Sequence, residues 1–250
     1  MSTTIVVAGK GGTGKTTIAA LLIRILSKKG IVLAIDGDPS SNLHMSLGLP
    51  LTDTIGSVRE EMVTRASKLS PGIPKQDYLE LKIRQALVES PRIDLLAMGR
   101  PEGPGCYCAA NNMLRDSIGR LARNYDYVVV DSEAGMEHIS RQTAQDVDIL
   151  LLTSDASMRG IITAARIKEL IGELRSKVGR ISLVVNRISN GLSPVIERAI
   201  AEFGLELIGT LPEAPELVDL EIRGAPIDEL PENSPLRLGV LKVAERLGLI

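Results

Sequence analysis

Two clusters in this chain have residue types and spacings that could do chemistry. The first is Gly9-Lys10-Gly11-Gly12-Thr13-Gly14-Lys15-Thr16-Thr17, which follows the β-branched run Thr3–Val7. Gly9, Gly14, Lys15 and Thr16 fit the spacing G-x-x-x-x-G-K-T of a phosphate-cradling loop between a strand and a helix. Glycines let successive backbone N–H groups curl into an anion nest, and the dipole of the following helix adds positive potential. Lys15 then sets a point charge on the outer phosphates, and the Thr16 hydroxyl offers Mg²⁺ a hard oxygen. The second cluster is Cys106-Tyr107-Cys108, closing the proline- and glycine-rich stretch Met98–Gly105; these are the only 2 cysteines in the chain. In an extended loop, side chains two apart point the same way, so both thiolates address one point in space. A soft or borderline metal takes about four such ligands. A twofold axis would bring the other two from an identical partner and close the set. Buried core cysteines and a redox pair are the alternatives.

Carboxylates and an amide stand at further strand ends. Ile31–Ile35 is a continuous apolar run, as a strand buried on both faces requires, and it leads into Asp36-Gly37-Asp38-Pro39. Open parallel sheets bind ligands beyond the carboxyl ends of their strands. Asp38 is therefore a candidate to orient or activate the water attacking a γ-phosphate and to serve Mg²⁺, with Asp36 supporting the ion through water. Turn chemistry followed by a serine cap is the alternative for both. Tyr127-Val128-Val129-Val130-Asp131 is a buried strand ending in a carboxylate, the Walker B pattern, and Asp131 is expected to hold Mg²⁺. Val184-Val185-Asn186-Arg187 ends a later strand, and the Asn186 amide suits an adenine edge, a turn asparagine being the alternative. Arg187, and Pro212 after the strand Leu207–Leu211, are the other candidate base contacts. Lys10 is surplus to an ordinary phosphate cradle. It is expected to point outward from its own pocket, either into solvent or across a dimer into the partner's nucleotide.

The elements that must position these residues follow from periodicity. A helix is expected over Thr16–Lys29 with Gly30 as its left-handed cap. Residues 52–90 read as a helical insertion, with helices over Thr54–Lys68 and Lys75–Glu89 broken at 70–74. Strands are expected at Ile93–Ala97, Ile149–Thr153 and Ile181–Val185, and helices over Met113–Arg123 and Arg159–Lys177. Ser234 and Pro235 cap a last helix whose apolar stripe (Leu236, Val240, Val243, Leu247) is expected to pack on the domain. The sum is one doubly wound α/β domain over 1–250, with about seven mostly parallel strands. With 29 basic and 31 acidic residues and no basic run, nucleic acid is excluded as a partner. No apolar run reaches ~18 residues and no signal-peptide pattern opens the chain, so a cytoplasmic protein without a membrane partner, its cysteines reduced, is expected.

The sequence G-K-G-G-T-G-K-T-T resembles the deviant Walker A motif of the P-loop family containing nitrogenase iron protein, MinD-type ATPases and metal-insertion ATPases. The D-x-D-P pattern resembles switch I of that family. The resemblance implies that Lys10 reaches across a nucleotide-sandwich dimer, that Asp38 is the hydrolytic aspartate and that Asn186 reads adenine. The stretch P-E-G-P-G-C-Y-C is similar to the single-cysteine loop of nitrogenase iron protein. The C-x-C and the segment Ala134–His138 look more like the CooC-type nickel-insertion ATPases of carbon monoxide dehydrogenase and acetyl-CoA synthase. For those ATPases the resemblance implies Mg-ATP hydrolysis, a homodimer, and nickel or zinc on Cys106 and Cys108 of two subunits. It also implies a dehydrogenase or synthase client. Gly135 is then a γ-phosphate sensor, and His138 and His44 are structural histidines or transient metal ligands. An iron–sulfur electron-transfer ATPase and a MinD-type positioning ATPase are the alternatives.

Overall fold

The computed structural model describes residues 2–65, 74–100, 108–132, 146–173 and 177–250. Seven strands form one sheet: β1 (Thr3–Gly9), β2 (Val32–Asp36), β3 (Ile93–Ala97), β4 (Tyr127–Asp131), β5 (Asp146–Asp155), β6 (Lys177–Ile188) and β7 (Leu207–Pro212). Their order is β3-β2-β4-β1-β5-β6-β7, and every pairing is parallel. The α-helices among the described residues are α1 (Lys15–Ser27), α2 (Leu43–Ser46), α3 (Ile55–Arg65), α4 (Lys75–Ala86), α5 (Cys108–Ala122), α6 (Met158–Glu173), α7 (Pro194–Glu202), α8 (Pro215–Arg223) and α9 (Pro235–Arg246).

Alternation along the strands splits the apolar residues between two cores, one on each face of the sheet. Val6, Leu33, Val130, Leu150 and Leu183 join one, under α3 to α6; Ile5, Val7, Ala34, Val129 and Leu151 join the other, under α1 and α9. β2 is buried from end to end, and so are Ile5–Gly9 of β1 and Val128–Asp131 of β4. A parallel sheet covered on both sides demands this, and it is why these strands read as unbroken apolar runs. Aliphatic side chains carry both cores, as a chain with 1 Phe and no Trp must arrange.

Most expected elements are present, with shifts that have local causes. β5 and β6 begin several residues earlier than their apolar centres, because their first residues alternate between solvent and sheet (Lys177 exposed, Leu183 buried). Helix α5 starts at Cys108, five residues ahead of its apolar stripe. The expected break at 70–74 and the end of the first insertion helix lie largely outside the described residues. Gly30 is not a left-handed cap: α1 closes through Lys28 in the right-handed region. The position is glycine because a β-carbon there would stand 2.5 Å from Asp126 Oδ2, which itself accepts the Ile31 N–H at 2.8 Å. Helix α9 packs by Leu236, Val240, Val243 and Ala244 into the core, so its stripe is spent on the domain. No helix among the described residues is long and apolar enough to cross a membrane.

Candidate nucleotide and metal site

The carboxyl ends of β1, β2, β4, β5, β6 and β7 lie along one edge of the sheet, and the candidate residues sit on them or on the loops that follow. The loop after β1 turns into α1 through Gly14, at φ 88°, and no side chain caps the helix. Four N–H groups at that end thus lack an intrahelical partner, beside a lysine and two threonines. This is the polarity an anionic phosphate needs. Lys15 Nζ lies 3.2 Å from the Lys10 carbonyl oxygen.

Thr16 and Asp131 meet across the sheet. The Thr16 hydroxyl donates to Asp131 Oδ2 at 2.6 Å, and the other carboxylate oxygen, Oδ1, is buried without a hydrogen-bond partner. An orphaned buried carboxylate oxygen is costly. Burial pushes the Asp131 carboxyl up to about 7; the Thr16 hydrogen bond opposes this and the nearby charges of Asp36 and Asp38 add to it. A hydroxyl and a carboxylate short of positive charge, next to a phosphate nest, fit Mg²⁺ in a hard oxygen shell. Among the described residues no group of three His, Cys, Asp or Glu side chains is set to hold a metal alone. When bound, the ion neutralises phosphate charge.

The electrostatics have a measurable sign. The folded state retains the Asp131 proton up to about 7, against an ordinary 3.8. That preference stabilises the fold fully below 3.8 and is lost as pH rises through about 7. Nucleotide-free Asp131→Asn is therefore expected to melt above wild type near pH ~8, with the gap narrowing toward pH ~5. Thermal melts at the two pH values, in chelator, check this; an unchanged gap would refute it.

Asp36 ends β2 at the same edge. It is fully buried, with its Oδ1 accepting the Asp38 N–H at 3.1 Å and its Oδ2 the Leu43 N–H at 2.9 Å. Burial raises its carboxyl to about 6. Its work is to pin the loop that carries Asp38. Asp38 is half-buried, and its Oδ1 accepts the Ser40 N–H at 2.7 Å. With that oxygen it closes a turn, as the turn reading of this aspartate expects. His44 sits against the same loop, its Nδ1 2.5 Å from the Ser41 carbonyl oxygen.

Five of the expected contacts converge at one cavity. Gly14, Thr17, Asn186, Arg187 and Pro212, with Glu213, line a space of ≈ 390 Å³ beside the phosphate loop. That volume suits a small ligand. Asn186 is buried and donates from Nδ2 to the Thr13 carbonyl at 2.9 Å, so half of its amide braces the loop. Arg187 holds a left-handed backbone at φ 61°, uncommon for a side chain of its size.

Lys10 turns away from its own cradle. Its ammonium pairs with Asp155 Oδ2 at 3.6 Å, with the lysine side chain 41% exposed. Burial acts to raise the Asp155 carboxyl, but the Ser157 hydroxyl and Lys10 outweigh it and hold it below its usual range. Asp155 was absent from the expected set, although it is a carboxylate at a strand's end like Asp38 and Asp131. Thr13 is 1% exposed, and its side chain faces β5, leaving its backbone for the loop. Cys106 and the segment with Gly135 and His138 lie outside the described residues. Cys108 is placed as the first backbone position of α5.

The comparisons agree with this geometry. Residues 4–227 match the CobQ/CobB/MinD/ParA nucleotide binding domain. An uncharacterized ATP-binding protein of Methanocaldococcus jannaschii is 45% identical, covering 97% of each chain. The carbon monoxide dehydrogenase accessory protein CooC of Rhodospirillum rubrum is 32% identical over 83% of this chain and 82% of its own. The MinD cell division protein of Aquifex aeolicus superposes with a TM-score of 0.70 at 28% identity, over 99% of this chain and 97% of that one. With its phosphate loop, Walker B aspartate and parallel sheet, the chain belongs to the CobQ/CobB/MinD/ParA family of P-loop ATPases.

Proposed function

We propose that this ATPase is a metal-delivery switch: Mg-ATP draws two copies together and thereby closes a site on which Cys106 and Cys108 of each copy hold nickel or zinc. The client is a carbon monoxide dehydrogenase or acetyl-CoA synthase, and the work is done in the cytoplasm. The single observation that carries this reading is the C-x-C pair in a chain 32% identical to a carbon monoxide dehydrogenase accessory protein over most of both lengths.

The site geometry supports the following residue roles within this reading. Gly9–Thr17 cradle the phosphates, Lys15 neutralises them, and Thr16 and Asp131 hold Mg²⁺ with Asp38 close by. Asp38 accepts the proton of the attacking water. Lys10 leaves Asp155 and reaches the partner's phosphates. Asn186, Arg187 and Pro212 hold the base, the free Oδ1 of Asn186 accepting from the adenine amine. Catalysis is positioning plus charge stabilisation, since phosphoryl transfer needs little covalent help.

A MinD-type positioning role is the second reading, favoured by the structural match to MinD. Such a protein would associate with anionic vesicles when ATP-loaded. Metal analysis of the purified chain, with and without ATP, separates the readings. The expected result is a colourless protein that binds one Ni²⁺ or Zn²⁺ per dimer with ATP present. A brown protein with charge-transfer absorption would favour an iron–sulfur carrier, and vesicle binding without metal would favour positioning.

A further inference from the structure

The phosphate loop is held from outside by a hydroxyl relay that no motif predicts. Thr153, near the end of β5, places its Oγ1 2.9 Å from Thr13 Oγ1, and Thr13 Oγ1 donates to the Lys10 carbonyl at 2.9 Å. Both threonines are 1% exposed. Proton counting and distance together favour one direction. Each hydroxyl has one hydrogen. If Thr13 donates to Lys10, Thr153 donates to Thr13 and both contacts are 2.9 Å; the other arrangement, Thr13 to Thr153 to Ala8, needs the longer contact of 3.3 Å. The shorter contact gives an unbroken chain, Thr153 to Thr13 to Lys10. There is no slack around it: a β-carbon on Gly9 would stand 2.1 Å from the Thr153 carbonyl oxygen, and Asn186 ties down the Thr13 carbonyl from β6.

We propose that Thr153 is a positioning residue of the ATPase, which through Thr13 fixes the Lys10 carbonyl and so the facing of the Lys10–Gly11 peptide in the phosphate cradle. In a trans peptide the C=O and N–H point in opposite directions, so pinning one aims the other. The Lys10 carbonyl accepts from both Thr13 and Lys15 Nζ. When Lys15 moves to a phosphate, Thr13 is the donor that remains. Without the relay the peptide is free to turn and present its carbonyl, a negative end, to the anion. The inference rests on the ATPase activity and is independent of the metal reading.

The test compares Thr153→Val, which keeps the shape without the hydroxyl, with Thr153→Ser, which keeps the hydroxyl. For Thr153→Val, affinity for ADP and kcat for ATP are each expected to fall about tenfold, the scale of one lost buried hydrogen bond. Affinity for adenosine, which has no phosphates, stays the same, and Thr153→Ser recovers to within about twofold. A double change with Thr13→Val is no worse than Thr13→Val alone, because both act through one chain. The proposal is overturned if Thr153→Val matches wild type, if serine is as impaired as valine, or if adenosine affinity falls as far as that of ADP. Should the valine variant fail to fold, Thr153→Ala against Thr153→Ser makes the same comparison.

Discussion

Lys10→Ala is expected to lower ATP turnover by about a thousandfold while each chain still binds ATP, the scale on which a cation supplied to a transferring phosphoryl group acts. The reason is where this lysine stands. Lys15 occupies the cradle near the Lys10 carbonyl, whereas the Lys10 ammonium pairs with Asp155 on the far side, half open to solvent. A cation there does nothing for its own phosphates until another nucleotide approaches. An exposed pair of this kind contributes little by itself, so releasing it costs little. Complementation makes the test sharp. Lys10→Ala and Asp38→Ala are each expected to be inactive alone. In a mixed dimer, the site on the Lys10→Ala chain keeps its own Asp38 and receives Lys10 from the other chain. With random pairing, about a quarter of wild-type activity should return on mixing. If Lys10→Ala retains normal turnover, or if mixing two inactive variants restores nothing, the trans lysine is refuted.

The second large effect is at the cysteines. Cys106→Ser combined with Cys108→Ser should take nickel or zinc binding from one ion per dimer to none, because serine oxygen is a poor ligand for metals that prefer thiolate. ATP affinity should hold within about twofold, since the phosphate cradle and Asp131 belong to other strands. Each single variant leaves two thiolates per dimer and should bind with greatly weakened affinity. Unchanged metal stoichiometry in the double variant would sink the metal-delivery reading while leaving the ATPase intact. Dimerisation with ATP but no metal in either protein would move the function toward positioning.

Local pattern determined much of this protein. The β-branched run, the glycine spacing and the helix behind it state a phosphate loop in fifteen consecutive residues, and the structure builds it as strand Thr3–Gly9, loop and helix Lys15–Ser27. Seven apolar runs gave seven strands, because the inner strands of a sheet covered on both faces are apolar over most of their length. Asp38, Asp131 and Asn186 were legible because the carboxyl ends of parallel strands share one edge. Tertiary structure alone decided what each polar group touches. Thr13 meets Thr153 across 140 positions and Asn186 across 173, partnerships set by β1 lying beside β5 with β6 next in line. The same edge gives Lys10 its Asp155 and Asp36 the loop it anchors, and at the opposite edge Gly30 is a matter of clearance from Asp126 and not of backbone twist. Periodicity reports which way a residue faces in its own element, while a hydrogen bond needs the address of the other partner, and strand order supplies that address.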